Sequence, residues 1–204
     1  MTPDPFAPIV TDPFTPTAAV RPSPGSPIRP VEGFQVRVFR DKSSRLRLPM
    51  LTAAVGADRL FDAFLGLVEI LGDTVHVVLE SSHASKGNKH RDYRRNHIDA
   101  PVLLSHLCEF EDLLLNDGCT GVAVLSARRP IEVQFDEHKL LYVYAPRMKP
   151  FRRVLKGLGV RRLDPLPLVS EAEHLHYSTA DQADRFKELC LRVGVGDVDR
   201  VFRC

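Results

Sequence analysis

CTGVAVLSARRPIEVQFDEHKLLYVYA, residues 119–145, is the stretch whose reading decides the fold. Ile131, Val133 and Phe135 alternate with Glu132, Gln134 and Asp136, so a strand here puts its apolar side chains on one face and its polar ones on the other. The flanking runs 122–125 and 140–144 are apolar on both faces and rich in β-branched and aromatic residues, the composition of more central strands. Arg128-Arg129-Pro130 and Asp136-Glu137-His138-Lys139 supply short turns. Connections that short force antiparallel neighbours, because a parallel pair needs a crossover of roughly a dozen residues. The stretch predicts a three-strand antiparallel meander.

Working outward, 57–71 carries apolar residues at helical spacing, and Gly72 follows as a terminator. Residues 74–80, TVHVVLE, predict a strand with Val75, Val77 and Leu79 facing the core. Phe34, Val36 and Val38 alternate in a first strand, and 45–51 reads as a second, confined to an edge by Pro49. The polar stretch 81–98 reads as a loop. Asp99-Ala100-Pro101 opens a helix whose buried stripe is Leu103, Leu107, Phe110 and Leu114. After the meander come a short basic helix closed by Gly159, a proline-punctuated connection at 163–169, and a last helix opened by Thr179 and Gln182 at capping-box spacing. The fold class expected is α+β, with a mixed, largely antiparallel sheet covered by helices.

Nine of the sixteen prolines fall within residues 1–32. Proline lacks a backbone donor and restricts its predecessor, so 1–32 reads as a disordered, partly polyproline-II tail and 33–204 as a single domain. Phe6 and Phe14, in the repeated Asp4-Pro5-Phe6 and Asp12-Pro13-Phe14, are the tail's candidate anchors for a docking partner. The four cysteines, at 108, 119, 190 and 204, form no CxxC pair, which favours a reduced, cytoplasmic protein over a disulfide scaffold. No apolar run approaches the roughly 18 residues of a membrane helix, and no secretory signal is visible.

Net charge is only +2, but the basic residues are unevenly placed. Lys86, Lys89, Arg91, Arg94 and Arg95 face a single acid, Asp92, and Arg147, Lys149, Arg152, Arg153, Lys156, Arg161 and Arg162 face none. Guanidinium forks hold phosphate or carboxylate bidentately, and Tyr93 offers a ring for stacking on a base. No RNP, KH or zinc-finger signature accompanies them. The expectation is a non-catalytic binding or regulatory module that presents the 86–95 loop and the 147–162 segment to an acidic protein or a nucleic acid. It needs no cofactor.

The alternative is a hydrolase or transferase acting on an anionic, phosphorylated substrate, with 81–99 as its active site. There His83 and His97 would be acid–base groups and Asp92 their partner. No GxSxG elbow or P-loop supports it. His83, His90 and His97 are seven apart, roughly 10 Å on a helix and too far for one metal. His174 and His176, in contrast, would share one face of a strand at about 6.6 Å between Cα atoms, a spacing that can chelate.

Overall fold

The structure is a computed structural model and describes residues 14–40, 47–83 and 90–195. A seven-stranded antiparallel sheet runs in the order β2-β3-β8-β7-β6-β4-β5. Its strands are β2 (Gly33–Arg40), β3 (Arg47–Ala54), β4 (Thr74–Ser81), β5 (Arg91–Asp99), β6 (Thr120–Ser126), β7 (Glu132–Phe135) and β8 (Leu141–Tyr144). A separate two-stranded ribbon pairs β1 (Val20–Pro22) with β9 (His174–His176). The helices are α1 (Ala57–Val68), α2 (Ala100–Glu109), α3 (Glu111–Asn116), α4 (Lys149–Gly157) and α5 (Ala180–Val193). None of the described helices is long and apolar enough to cross a membrane.

The alternation in the meander does what period two dictates. Val75, Val77 and Leu79 of β4, Val122 and Val124 of β6, Val133 and Phe135 of β7 and Leu141 and Val143 of β8 are all buried in one core. Leu60, Phe64 and Leu67 of α1, Leu103 and Leu107 of α2, Phe151 and Leu155 of α4 and Phe186 and Leu189 of α5 cover it. On the opposite face, the 163–169 connection and the chain around Phe14 and Val31 pack near β3 and β8, where the Gln35 side chain accepts from Leu166 N at 3.1 Å.

Four expectations are corrected. First, 91–98 is not a loop but most of β5, paired with β4 from Ser81↔Arg91 to Thr74↔Asp99. It looks polar because it is an edge strand, and charge on an edge blocks further pairing. A register shift between Val75 and Val77 faces His97, which adopts φ 55°. Second, order begins before residue 33. Ala19 and Val20 are buried, β1 pairs with β9, and Phe14 packs against the cluster of Ala54, Leu140, Leu166 and Leu168 instead of standing free as an anchor. Residues 1–13, with Phe6, lie outside the described residues. Third, β3 is internal, between β2 and β8; its ladder with β8 stops at Met50↔Tyr144, so Pro49 sits where that pairing ends. Fourth, the helix after Asp99 breaks at Phe110, φ −117° and ψ 20°, into α2 and α3. The capping box at Thr179 and Gln182 forms as its spacing predicts.

Candidate metal centre

The β7–β8 turn is held by its own aspartate. Asp136 Oδ1 accepts from Leu140 N at 2.9 Å and its carbonyl from Lys139 N at 3.0 Å, with Lys139 in the left-handed region at φ 61°. Asp136 Oδ2 lies 2.8 Å from His138 Nδ1. The turn thus delivers His138 to one end of the sheet with its ring oriented.

β9 delivers two more imidazoles to the same place, because residues i and i+2 of a strand project from one face. The ribbon is anchored by Tyr177 N→Ala19 O and Gly118 N→Tyr177 O, both 2.8 Å. His174 Nδ1 is 2.7 Å from Ala172 O, and His176 Nδ1 is bonded to Gly118 O. The ring centroids of His138, His174 and His176 stand 4.8, 5.0 and 4.9 Å apart, and one ligand nitrogen from each lies within 4.8 Å of the others.

Carboxylate and carbonyl oxygens only accept, so each of these Nδ1 atoms carries the proton and each Nε2 keeps a free lone pair. An oxygen acceptor behind every ring is the outer shell that metal-bound histidines have. Tetrahedral coordination at about 2.0–2.1 Å places ligand nitrogens roughly 3.3 Å apart, within reach of small ring rotations from this arrangement. Burial opposes protonation of His138, but Asp136 and then Glu137 raise its pKa above the ordinary value. Burial lowers that of His176.

The ground around the three rings is partly buried and charged. Lys139 is 6% exposed, donates to Thr120 O at 2.9 Å and lies over the Phe135 ring; burial brings its pKa down to about 8. Glu137 accepts from Ser82 Oγ at 3.0 Å and is 3.6 Å from His90 Nε2. A cavity of about 110 Å³ opens beside the turn, with Phe14, Val20, Leu60, His138, Lys139 and Leu140 among its walls.

The residues singled out in the sequence are dispersed. His83 lies beside Asp117 at the end of β4, whereas the His97 ring meets His76 edge-on, centroids 4.6 Å apart, near its start. Seven residues of strand separate those ends, roughly 23 Å. Asp92 pairs across from Glu80 on the face turned away from the helices. Tyr93 packs edge-on against Phe186, and Arg95 donates to Val193 O at the end of α5, so both are engaged inside the fold; Arg94 is exposed and donates to Asn96. Arg91 is exposed on β5. Lys86 and Lys89 lie outside the described residues. Lys149, Arg152, Arg153 and Lys156 line one groove on α4, with Arg147 exposed just before it.

The two basic stretches stand apart. The chain leaving α4 runs along β2, where Phe34 N→Arg161 O and Leu163 N→Phe34 O, while β5 is the other edge, six strand spacings or roughly 29 Å away. Among the described sequence candidates, the structure brings together the basic set Lys149, Arg152, Arg153 and Lys156 on α4 and, as potential metal ligands, His174 and His176. Their third partner, His138, carries no local signal, being one polar residue in a turn 36 positions earlier. Searches against protein-family models, curated proteins and solved structures return no match to this chain.

Proposed function

We propose that the protein is a metal-dependent enzyme in which His138, His174 and His176 hold one divalent transition-metal ion, zinc above all, that activates water for hydrolysis or hydration. The observation that carries this reading is the convergence of the rings: one ligand nitrogen from each lies within 4.8 Å of the others, and all three Nδ1 atoms are bonded to oxygen acceptors, which leaves the Nε2 atoms as the free donors. Structural zinc sites close with four protein ligands, whereas three protein ligands leave a position for water, whose pKa the ion lowers to about 7. Part-exposed rings beside a small cavity suit a small substrate.

The test is zinc content and affinity of the chelator-treated protein, beside hydrolysis of a small activated ester. Close to one tightly held ion at this centre, lost in His138→Ala and in His174→Ala/His176→Ala, with ester turnover rising through neutral pH only in the zinc form, is expected. Unchanged zinc affinity in both variants would overturn the reading.

A second reading rests on α4. Lys149, Arg152, Arg153 and Lys156 line its groove without an acid among them, a surface suited to an acidic protein or a nucleic acid. Binding to heparin and RNA that weakens steeply with salt and disappears in Arg152→Glu/Arg153→Glu supports it. Equal binding by the variant removes it.

A further inference from the structure

A second cluster lies where β4 ends and β6 begins. The antiparallel pairing Ser81↔Thr120, extended by Ser82 N→Cys119 O at 3.0 Å, sets His83 beside the turn formed by residues 117–119. The His83 side chain is 10% exposed, and its Nδ1 is taken by Ser81 Oγ at 2.7 Å. Its Nε2 is buried, 2.8 Å from Asp117 Oδ2, yet makes no aligned hydrogen bond. Asp117 is fully buried, accepting from Cys119 N at 3.2 Å, from Thr120 Oγ1 and from the Ser178 side chain. The Cys119 sulfur completes a set whose ligand atoms all lie within 4.8 Å of one another, and Cys119 is in no disulfide.

We infer that His83, Asp117 and Cys119 form a second transition-metal site, separate from the three-histidine centre and distinguished from it by a thiolate ligand. A simple ion pair between His83 and Asp117 accounts for neither the misaligned Nε2 nor the convergence of a sulfur on the same point. A buried nitrogen that faces a carboxylate at 2.8 Å without an aligned hydrogen bond is only partly satisfied, and an ion completes the set for all three groups. Imidazole, carboxylate and thiolate together favour zinc and its cobalt substitute over magnesium or calcium. The Ser81 hydroxyl against Nδ1 plays the orienting part that oxygen acceptors play at the first centre. Uptake releases the thiol proton, because thiolate is the ligand form.

Cobalt(II) titration of the full chain tests this, since only a sulfur ligand gives a near-ultraviolet charge-transfer band. In the His174→Ala/His176→Ala background, which disables the first centre, cobalt uptake with that band is expected, and Cys119→Ser abolishes it. In the wild-type chain, zinc should slow alkylation of Cys119 about tenfold or more relative to Cys108, read residue by residue by mass spectrometry. That second readout does not depend on any variant folding. Cobalt bound without a thiolate band, or alkylation of Cys119 indifferent to zinc, overturns the inference. Neither result bears on the three-histidine centre, whose loss is read in the His138→Ala variant.

Discussion

His176 donates its Nδ1–H to the carbonyl of Gly118, the residue between Asp117 and Cys119. One backbone turn therefore orients a ligand of the first cluster with its carbonyl and supplies two ligands of the second with its side chains. The turn is fixed from below by Thr120, whose hydroxyl bonds Asp117 and whose carbonyl accepts from the buried Lys139. Lys139 in turn belongs to the tight turn that presents His138. The two sites are built on one hydrogen-bonded scaffold at one end of the sheet.

Gly118 is the tightest point of that scaffold. A Cβ there would meet Ala19 O at 2.5 Å and the Tyr177 backbone at 3.0 Å, all main-chain atoms that cannot swing away. Gly118→Ala should cost about 1–3 kcal/mol and push β9 from its seat. Zinc affinity should fall with it, because the displaced ribbon carries His176 away from the residue 118 carbonyl that orients it. Thermal unfolding and a chelator competition measure the two effects, and an unchanged melting temperature would show that the ribbon is not seated as described.

Asp136→Asn separates support from fold. The amide oxygen can still accept from Leu140 N, so the turn should survive, but the negative charge behind His138 is gone. Loss of such an outer-shell carboxylate typically weakens metal binding about 10–100-fold. The expected outcome is a melting temperature of the metal-free protein close to wild type with zinc affinity reduced in that range. Full affinity in the variant would mean that the Asp136 carboxylate does not support His138 in metal binding.

Glu80 gives a pH dependence that is read on the metal-free protein. Burial, then the charges of Asp92, Asp136 and Glu132, push its pKa from 4.5 up to about 7, with His90 opposing. The folded state holds this proton more tightly than the unfolded state. Its contribution is therefore complete below pH 4.5 and is lost as pH rises to about 7. Because the carboxyl is partly open to solvent, the loss is about 1–2 kcal/mol. Glu80→Gln should match wild type near pH 4.5 and exceed it by that amount at pH 8 in urea unfolding. Parallel pH profiles for the two proteins would refute the assignment.

The sheet was legible because its signals are local: period-two alternation in 131–136 and 74–80, and turns too short for anything but antiparallel neighbours. β5 was hidden because an edge strand has one half-covered face, and the sequence RDYRRNHID shows its polar side more plainly than Tyr93 and Ile98. The piece 14–22, with Ala19 and Val20 buried, was hidden because proline density argues for a tail, while two or three residues suffice to pair with β9. Of the metal centre, only the His174 and His176 pair has a spacing that a chain can reveal. His138, Asp117 and Cys119 join their partners through strand order, which no local pattern encodes.

Zinc should also act as a fastener between elements distant in sequence. His138 sits on the β7–β8 turn, while His174 and His176 sit on β9, which otherwise leans on β1 and on Gly118. An ion binding only the folded state stabilises by about 2.7 kcal/mol when present at 100 times its dissociation constant. For a domain of this size that corresponds to a rise of about 5–11 °C in melting temperature. Magnesium, which prefers oxygen ligands and octahedral geometry, should leave the melting temperature unchanged. In Cys119→Ser the larger part of the zinc shift should persist, since the three imidazoles remain, and in His138→Ala it should shrink sharply. A zinc shift of the same size in His138→Ala and in wild type would place the fastening ion somewhere other than the three histidines.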